Sequence, residues 1–462
     1  MKCFSTRGGI GEYGFIDTFL KGLADDGGLL IPKAVPKVTT AEMSEWKKLN
    51  YQDLTIKILE KFVEGEIPDE DLRKIIYDSF STFHSKEITP LKQLNDKLYI
   101  LELFHGPTFA FKDIAMQFIG NLYSYVAHKY GKEINVLGAT SGDTGAAAIN
   151  ALGGKPGIKV CILHPHQGVS KVQELQMTTV LDSNVLNLSV KGNFDDCQRI
   201  VKDIFSNVEF KNKYSLRAVN SINLVRLLLQ TSYYFYSYFK IASSLSEKIN
   251  YCIPTGNFGD IYSGYVVKKM GLPIDKLVLA TNENDILEQF VKTGVYKMGT
   301  FKMTYSPAMD IQVASNFERY LYDVLDQDAQ KVSSYMKKFR ETGEISVPVE
   351  KAGKDFVAAR TDEESCVNII KSYYKKYNYL LDPHTACGVG GYEKTVMGQN
   401  TVCISLATAH PAKFDEAIIA CGITNQVKPP EIEALYNKKQ KMHVIDNDIE
   451  KIVRELKGFY EG

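Results

Sequence analysis

The stretch Phe104 to Gln117, FHGPTFAFKDIAMQ, holds a single lysine among aromatic and apolar neighbours, at the point where a strand-like run gives way to a helix-like one. In the first turn of an apolar helix a cation is misplaced, because burial and the positive end of the helix dipole both favour the neutral amine. A neutral Lys112 amine is the form that attacks an aldehyde to make a Schiff base. An ion pair with Asp113, or a side chain snorkelling to solvent, accounts for the same residue without any chemistry.

Three later stretches have the makings of anion sites. TSGDTG, Thr140 to Gly145, brings the hydroxyls of Ser141 and Thr144, flexible glycines and free amides to a helix start, a cradle for a carboxylate or a phosphate. An ordinary capped helix with a tight turn explains it equally. PTGNFGD, Pro254 to Asp260, is a second such loop, or else a strand-to-helix turn capped by Asp260. NSINLVR opens an aromatic-rich helix, where Asn220, Ser221 and Arg226 form either an anion clamp or a cap beside a structural ion pair. TSGDTG lacks the lysine of a nucleotide P-loop, and neither glycine loop completes G-x-G-x-x-G, so nucleotide binding is disfavoured. The string GVGG at 388–391 falls inside a helical pattern and reads as close packing.

The elements that must position these residues follow α/β grammar: short apolar runs end in Gly, Ser or Thr clusters and then open into helical periodicity. Four such units stand out. LYILEL leads to the helix in which Phe111, Ile114, Ala115, Phe118, Ile119 and Leu122 repeat at helical spacing, and INVLG leads through ATSGDTG to AAAINAL. NYCIP leads through TGNFGD to IYSGYVVKKM, and TVCISLA leads through TAHPAKF to DEAIIACG. In an open parallel sheet such loops gather at the carboxyl ends of the strands, where one ligand touches several of them. Residues 1–95 read differently, with helical patterns over Met43 to Phe62 and Asp69 to Phe83, and suggest an accessory domain. A polar stretch over Thr300 to Lys354 reads as an insertion.

Composition bounds the partners. The 462 residues carry 55 Lys plus Arg and 55 Asp plus Glu, without blocks of one sign, which argues against nucleic acid or an anionic membrane surface. The greasiest segment, LVRLLLQTSYYFYSYF from Leu224, is broken by Arg226 and Gln230 and is shorter than the ~20 residues of a membrane span. It reads as a buried helix. The start of the chain shows no secretory signal pattern, so a cytoplasmic location is expected. The eight cysteines lack zinc or redox spacing, and the HPH at 164–166 lacks further ligands, so no metal is expected.

Taken in order, FHGPTFAFKD, ATSGDTG, NSIN with Arg226, PTGNFGD, SPAMDIQVASNFERYL, DPHTACG and ATAHPAKF resemble the pyridoxal-phosphate-dependent threonine synthases. STRGG at Ser5 to Gly9 and DDGGLLIPK at Asp25 to Lys33 match the N-terminal extension of the longer variety. The resemblance implies an α/β, two-lobed fold type II enzyme with mostly parallel twisted sheets, plus an N-terminal domain. The implied domains are 1–95, a large cofactor domain of 96–134 and 218–462, and a small mobile domain of 135–217. It implies pyridoxal 5'-phosphate held by Lys112 as Schiff base, by Gly256, Asn257, Phe258 and Gly259 at its phosphate, and by Thr408 at its ring nitrogen. Asp143 stands where other members of the fold type carry an asparagine facing the cofactor's phenolic oxygen, so a coupled titration is expected there. Ser141 and Thr144 are expected at the substrate carboxylate, and Asn220, Ser221 and Arg226 at its phosphate. The implied reaction turns O-phospho-L-homoserine and water into L-threonine and phosphate, by γ-elimination and β-addition of water, in a monomer or homodimer. A serine or threonine dehydratase, or an O-phosphohomoserine phospholyase, is the alternative.

Overall fold

The computed structural model describes residues 1–131 and 133–462. The chain forms two compact units, one of residues 1–76, 85–105 and 221–424, the other of 77–84, 106–220 and 425–462.

The first unit is built on a six-stranded sheet in the order Phe356–Arg360, Ile274–Thr281, Ile249–Pro254, Cys403–Ala407, Leu98–Glu102, Leu91–Gln93. All neighbours are parallel except the last pair. The central strands INYCIP and CISLA are buried at every position, as expected of parallel strands covered on both faces. Helix Pro383–Thr395 packs on them through its glycines. A Cβ on Gly388 would lie 3.0 Å from Ser405 Oγ, and one on Gly391 would lie 3.0 Å from Ala280 Cβ, so GVGG is a packing surface. Helix Leu224–Ile241 is buried from Leu224 through Phe239, the buried helix expected of this segment. No helix among the described residues is long and apolar enough to cross a membrane.

Residues 1–76 join the first unit. Strand Cys3–Ser5 pairs antiparallel with Leu30–Pro32. The expected helix from Met43 is broken into Thr40–Trp46 and Tyr51–Val63, because Asn50 caps the second by accepting from the Asp53 N–H.

The second unit holds a five-stranded parallel sheet ordered His443–Asp446, Val185–Lys191, Ile158–Pro165, Ile134–Ala139, Leu216–Ala218. Its core includes Cys161, Leu188, Ile200, Ile452 and Leu456. Residues 425–462 were expected with the large domain. The His443–Asp446 strand instead pairs with Val185–Lys191, and helix Ile449–Glu461 buries Ile452, Leu456 and Tyr460, which puts this segment in the second unit.

The stretch from Thr300 to Lys354 is likewise only partly an insertion. Helix Ala329–Thr342 exposes its charged face and buries only Val332 and Phe339. The preceding Ser306, Met309, Asn316, Glu318 and Arg319 are buried.

Candidate active site

Lys112 is the first residue of helix Lys112–Tyr130, in the second unit. The Asp113 carboxylate turns back to accept from Thr108 N at 2.8 Å and Thr108 Oγ1 at 2.7 Å, locking the turn ahead of the helix. Gly106 is required there, since a Cβ would lie 2.3 Å from Asp113 Cβ. Lys112 Nζ reaches Asp143 Oδ2 at 3.2 Å, with the lysine side chain 12% and the aspartate 4% exposed. Gln173 Nε2 donates to the other oxygen, Asp143 Oδ1, at 2.8 Å. The amine and Asp143 are thus held together in one nearly buried group.

Asp143 opens helix Asp143–Leu152, whose N-cap Gly142 sits at φ 141° and makes no side-chain cap bond. Thr140 organises the turn, its Oγ1 accepting from the N–H groups of Gly142 at 3.0 Å and Gly145 at 2.9 Å. Ser141 is exposed and Thr144 half-buried in the same turn. Thr140 and Gln173 are working parts that sequence reasoning missed. The signal for Gln173 is its capping box, three residues after Ser170, which fixes the helix that carries it.

In the first unit, the turn after strand Ile249–Pro254 has the shape of an anion cradle. Phe258 is left-handed at φ 61°, and helix Gly259–Met270 opens without a side-chain cap. Asp260 is not that cap. It accepts instead from Tyr233 Oη at 2.5 Å and Tyr234 Oη at 2.9 Å, which burial and the carboxylate keep protonated well beyond their usual range. No side-chain oxygen caps the first turn of this helix, and an uncapped helix start behind a glycine loop is the kind of arrangement that binds phosphate. A Cβ on Gly256 would lie 2.6 Å from Ala308 O, so the loop tolerates no side chain there. Thr408 is buried immediately after strand Cys403–Ala407, at the carboxyl end of the same sheet.

Helix Leu224–Ile241 is capped by Asn223, whose Oδ1 accepts from Val225 N at 3.1 Å. Arg226 sits one turn in, 4% exposed, and burial lowers its pKa to about 10, which leaves it charged at neutral pH. Ser221 Oγ lies 2.7 Å from Ser315 Oγ. Asn220 is the last residue of its segment of the second unit, and Ser221 begins a segment of the first.

Residues 2–80 match the family description "Threonine synthase N terminus", 83–407 "Pyridoxal-phosphate dependent enzyme", and 385–455 "Threonine synthase, C-terminal". The threonine synthase of Saccharomyces cerevisiae is 45% identical, over 94% of this chain and 93% of that protein. The chain belongs to the threonine synthase family. The threonine synthase of Pseudomonas aeruginosa is 39% identical, over 98% of this chain and 97% of that protein. The crystal structure of pyridoxal-phosphate-bound threonine synthase from Brucella melitensis superposes with a TM-score of 0.96 at 39% identity, covering 100% of both chains. The fold is accordingly that of the fold type II pyridoxal-phosphate enzymes with the family's N-terminal domain, and this family member is a lyase that uses pyridoxal 5'-phosphate. Each unit holds residues of a kind that fits such a cofactor: in the first, a loop that excludes a Cβ at Gly256 ahead of a helix start without a side-chain cap, and in the second, the nearly buried Lys112 amine.

Proposed function

We propose that this threonine synthase family member converts O-phospho-L-homoserine and water to L-threonine and phosphate, with Lys112 as the residue that binds the cofactor covalently and moves protons. The observation that carries the residue assignment is the Lys112 amine at the head of an apolar helix, 3.2 Å from Asp143, which Gln173 holds from the other side. A carboxylate so anchored orients Nζ. When bound, the cofactor supplies the electron sink for the substrate carbanions. Lys112 takes the α-proton and returns protons during γ-elimination, before water adds at the β-carbon.

Gly256, Asn257, Phe258 and Gly259 hold the cofactor phosphate through backbone N–H groups, and Thr408 hydrogen-bonds the ring nitrogen. Ser141 and Thr144 receive the substrate carboxylate, while Asn220, Ser221 and Arg226 receive its phosphate. A buried, charged guanidinium distinguishes a phosphate-bearing substrate from plain serine or threonine, which disfavours a simple dehydratase. The zero net charge without runs of one sign supports a small-molecule substrate rather than nucleic acid or an anionic membrane surface, and the proposal extends to a cytoplasmic enzyme acting as a monomer or homodimer.

Borohydride reduction of the holoenzyme followed by peptide mass analysis tests the lysine: the adduct is expected on Lys112 and absent from Lys112→Ala. Product analysis with O-phospho-L-homoserine tests the reaction. Phosphate with threonine is expected, whereas phosphate with 2-oxobutyrate alone would make the protein a phospholyase.

A further inference from the structure

The segment Ala314 to Arg319 runs beside the Asn257 turn, and its hydrogen bonds determine which way each hydroxyl points. Ser315 N and Ser315 Oγ reach the same atom, Asn257 Oδ1, at 3.4 and 3.1 Å. A backbone N–H only donates, so the amide atom facing it is the oxygen, and the Ser315 hydroxyl must donate to it as well. Ser315 Oγ also lies 2.7 Å from Ser221 Oγ. With the Ser315 proton committed to Asn257, Ser221 is the donor in that contact. Donation thus runs from Ser221 through Ser315 to Asn257.

The heavy atoms around this relay are pinned. Asn316 N and Nδ2 both donate to Asn257 O at 3.0 Å, and Nδ2 also donates to Ser221 O at 3.1 Å. Arg319, 0% exposed, donates to Leu30 O at 3.0 Å, to Ile222 O at 2.5 Å and to the Asn316 side-chain oxygen. What remains free to reorient is the pair of hydroxyl protons on the half-buried Ser221 and Ser315.

We propose that Ser315 is a positioning residue that couples two anion sites, the cofactor-phosphate turn at Asn257 and the substrate-phosphate site at Ser221 and Arg226. The proposal rests on the assignment of Ser221 and Arg226 to the substrate phosphate. A phosphomonoester dianion offers only acceptors, so Ser221 must turn its O–H toward it. Ser315 then donates to Ser221, and Asn257 Oδ1 loses its hydroxyl donor, keeping only the Ser315 N–H at 3.4 Å. Filling the substrate-phosphate site therefore withdraws a hydrogen bond from the scaffold of the cofactor loop, and by linkage the effect is reciprocal.

The test measures the rate at which full-length holoenzyme releases its cofactor, with and without saturating inorganic phosphate. Release requires water to hydrolyse the imine on Lys112, giving back the free amine and the cofactor aldehyde, and is first order in holoenzyme, so phosphate competing for an emptied cofactor site does not accelerate it. In the native protein phosphate is expected to speed release about three- to tenfold, the worth of one hydrogen bond. Ser315→Ala and Ser221→Ala, which break the relay at different links, are each expected to release cofactor at a phosphate-independent rate. The 31P resonance of the bound cofactor is expected to shift on phosphate titration in the native protein and in neither variant. Phosphate-dependent release persisting in Ser315→Ala, or absent from the native protein, would overturn the relay. Arg226→Gln separates the underlying assignment: it is expected to weaken competitive inhibition by phosphate at least tenfold. Unchanged inhibition there removes the substrate-phosphate assignment and the relay together, whereas weakened inhibition with release still phosphate-dependent in Ser315→Ala removes the relay alone.

Discussion

Replacing Asp113 by alanine is expected to loosen the turn that presents Lys112 while leaving the chemistry of the amine to its other neighbours. The Asp113 carboxylate is 0% exposed and takes two donors from Thr108, N at 2.8 Å and Oγ1 at 2.7 Å. Hydrogen bonds to a charged group contribute about 1.5–3 kcal/mol each, so losing two puts the local cost at about 3–6 kcal/mol. Each ~1.4 kcal/mol is a factor of ten in an opening equilibrium. Hydrogen exchange at the Thr108 amide is therefore expected to rise about a hundredfold or more, with helix amides from Phe118 to Val126 as the unaffected control. Amide exchange suits the question because it reads the turn locally, whereas a single unfolding midpoint is ill-defined for a chain of two units. Asp113→Asn keeps one acceptor but sets its NH2 against the other Thr108 donor, and an intermediate rise is expected. A rise below about tenfold at Thr108 in Asp113→Ala, or an equal rise along the whole helix, would refute the assignment of Asp113 to the turn.

Gly256→Ala places a Cβ 2.6 Å from the backbone oxygen of Ala308, which forces the phosphate loop to shift. Overpacking of about 1–3 kcal/mol translates to roughly five- to a hundredfold weaker cofactor binding, read by absorbance titration. Asp143→Asn removes the carboxylate that faces Lys112 and is expected to change the pH dependence of the bound cofactor's absorption spectrum, because a coupled pair becomes a single titrating group. An unchanged profile would sink that reading. His410 is pushed down to about 4, first by burial and then by the neighbouring His105. Its Nδ1 accepts from the Ala412 N–H at 3.1 Å, which also favours the neutral ring. Between an unfolded value near 6.5 and the folded value, the unfolded chain binds the extra proton. Stability is therefore expected to fall as pH drops from about 6.5 to about 4, by on the order of 2–3 kcal/mol, with no further loss from this group below that. His410→Asn, which keeps an acceptor for Ala412, is expected to flatten that window in first-unit hydrogen exchange measured against pH.

The strand, loop and helix units were legible because each rests on local pattern. Runs such as INYCIP and CISLA are mostly apolar, with Asn250 and Ser405 the polar exceptions, as strands covered on both faces should be, and Gly, Ser or Thr clusters follow them. The glycines of PTGNFGD and TSGDTG announce close backbone approach, which the Cβ positions at Gly256 and Gly142 bear out. Less legible were the side-chain choices made within those loops. Asp260 reads as a cap, yet it answers Tyr233 and Tyr234, 27 and 26 residues earlier in the chain. Asp113 reads as a charge at the helix start, yet its carboxylate also reaches back five residues to close a turn on Thr108. Residues 425–462 carry no periodic cue to which sheet they extend, because an edge strand is chosen by pairing with a strand far away in sequence.

By itself the sequence determined the α/β class, the order of the loops, the lysine at the head of its helix and the family to which the chain belongs. These depend on short-range periodicity and on motifs whose residues are adjacent in the chain. Tertiary structure alone brought Asp143, 31 residues on, to Lys112, with Gln173 30 residues beyond that holding the carboxylate from its other oxygen. It also decided that SNFER, unremarkable in composition, joins Ser221 to Asn257 through Ser315. Buried polar groups must find partners wherever the fold brings them, and that pairing is settled by packing in three dimensions rather than by spacing along the chain.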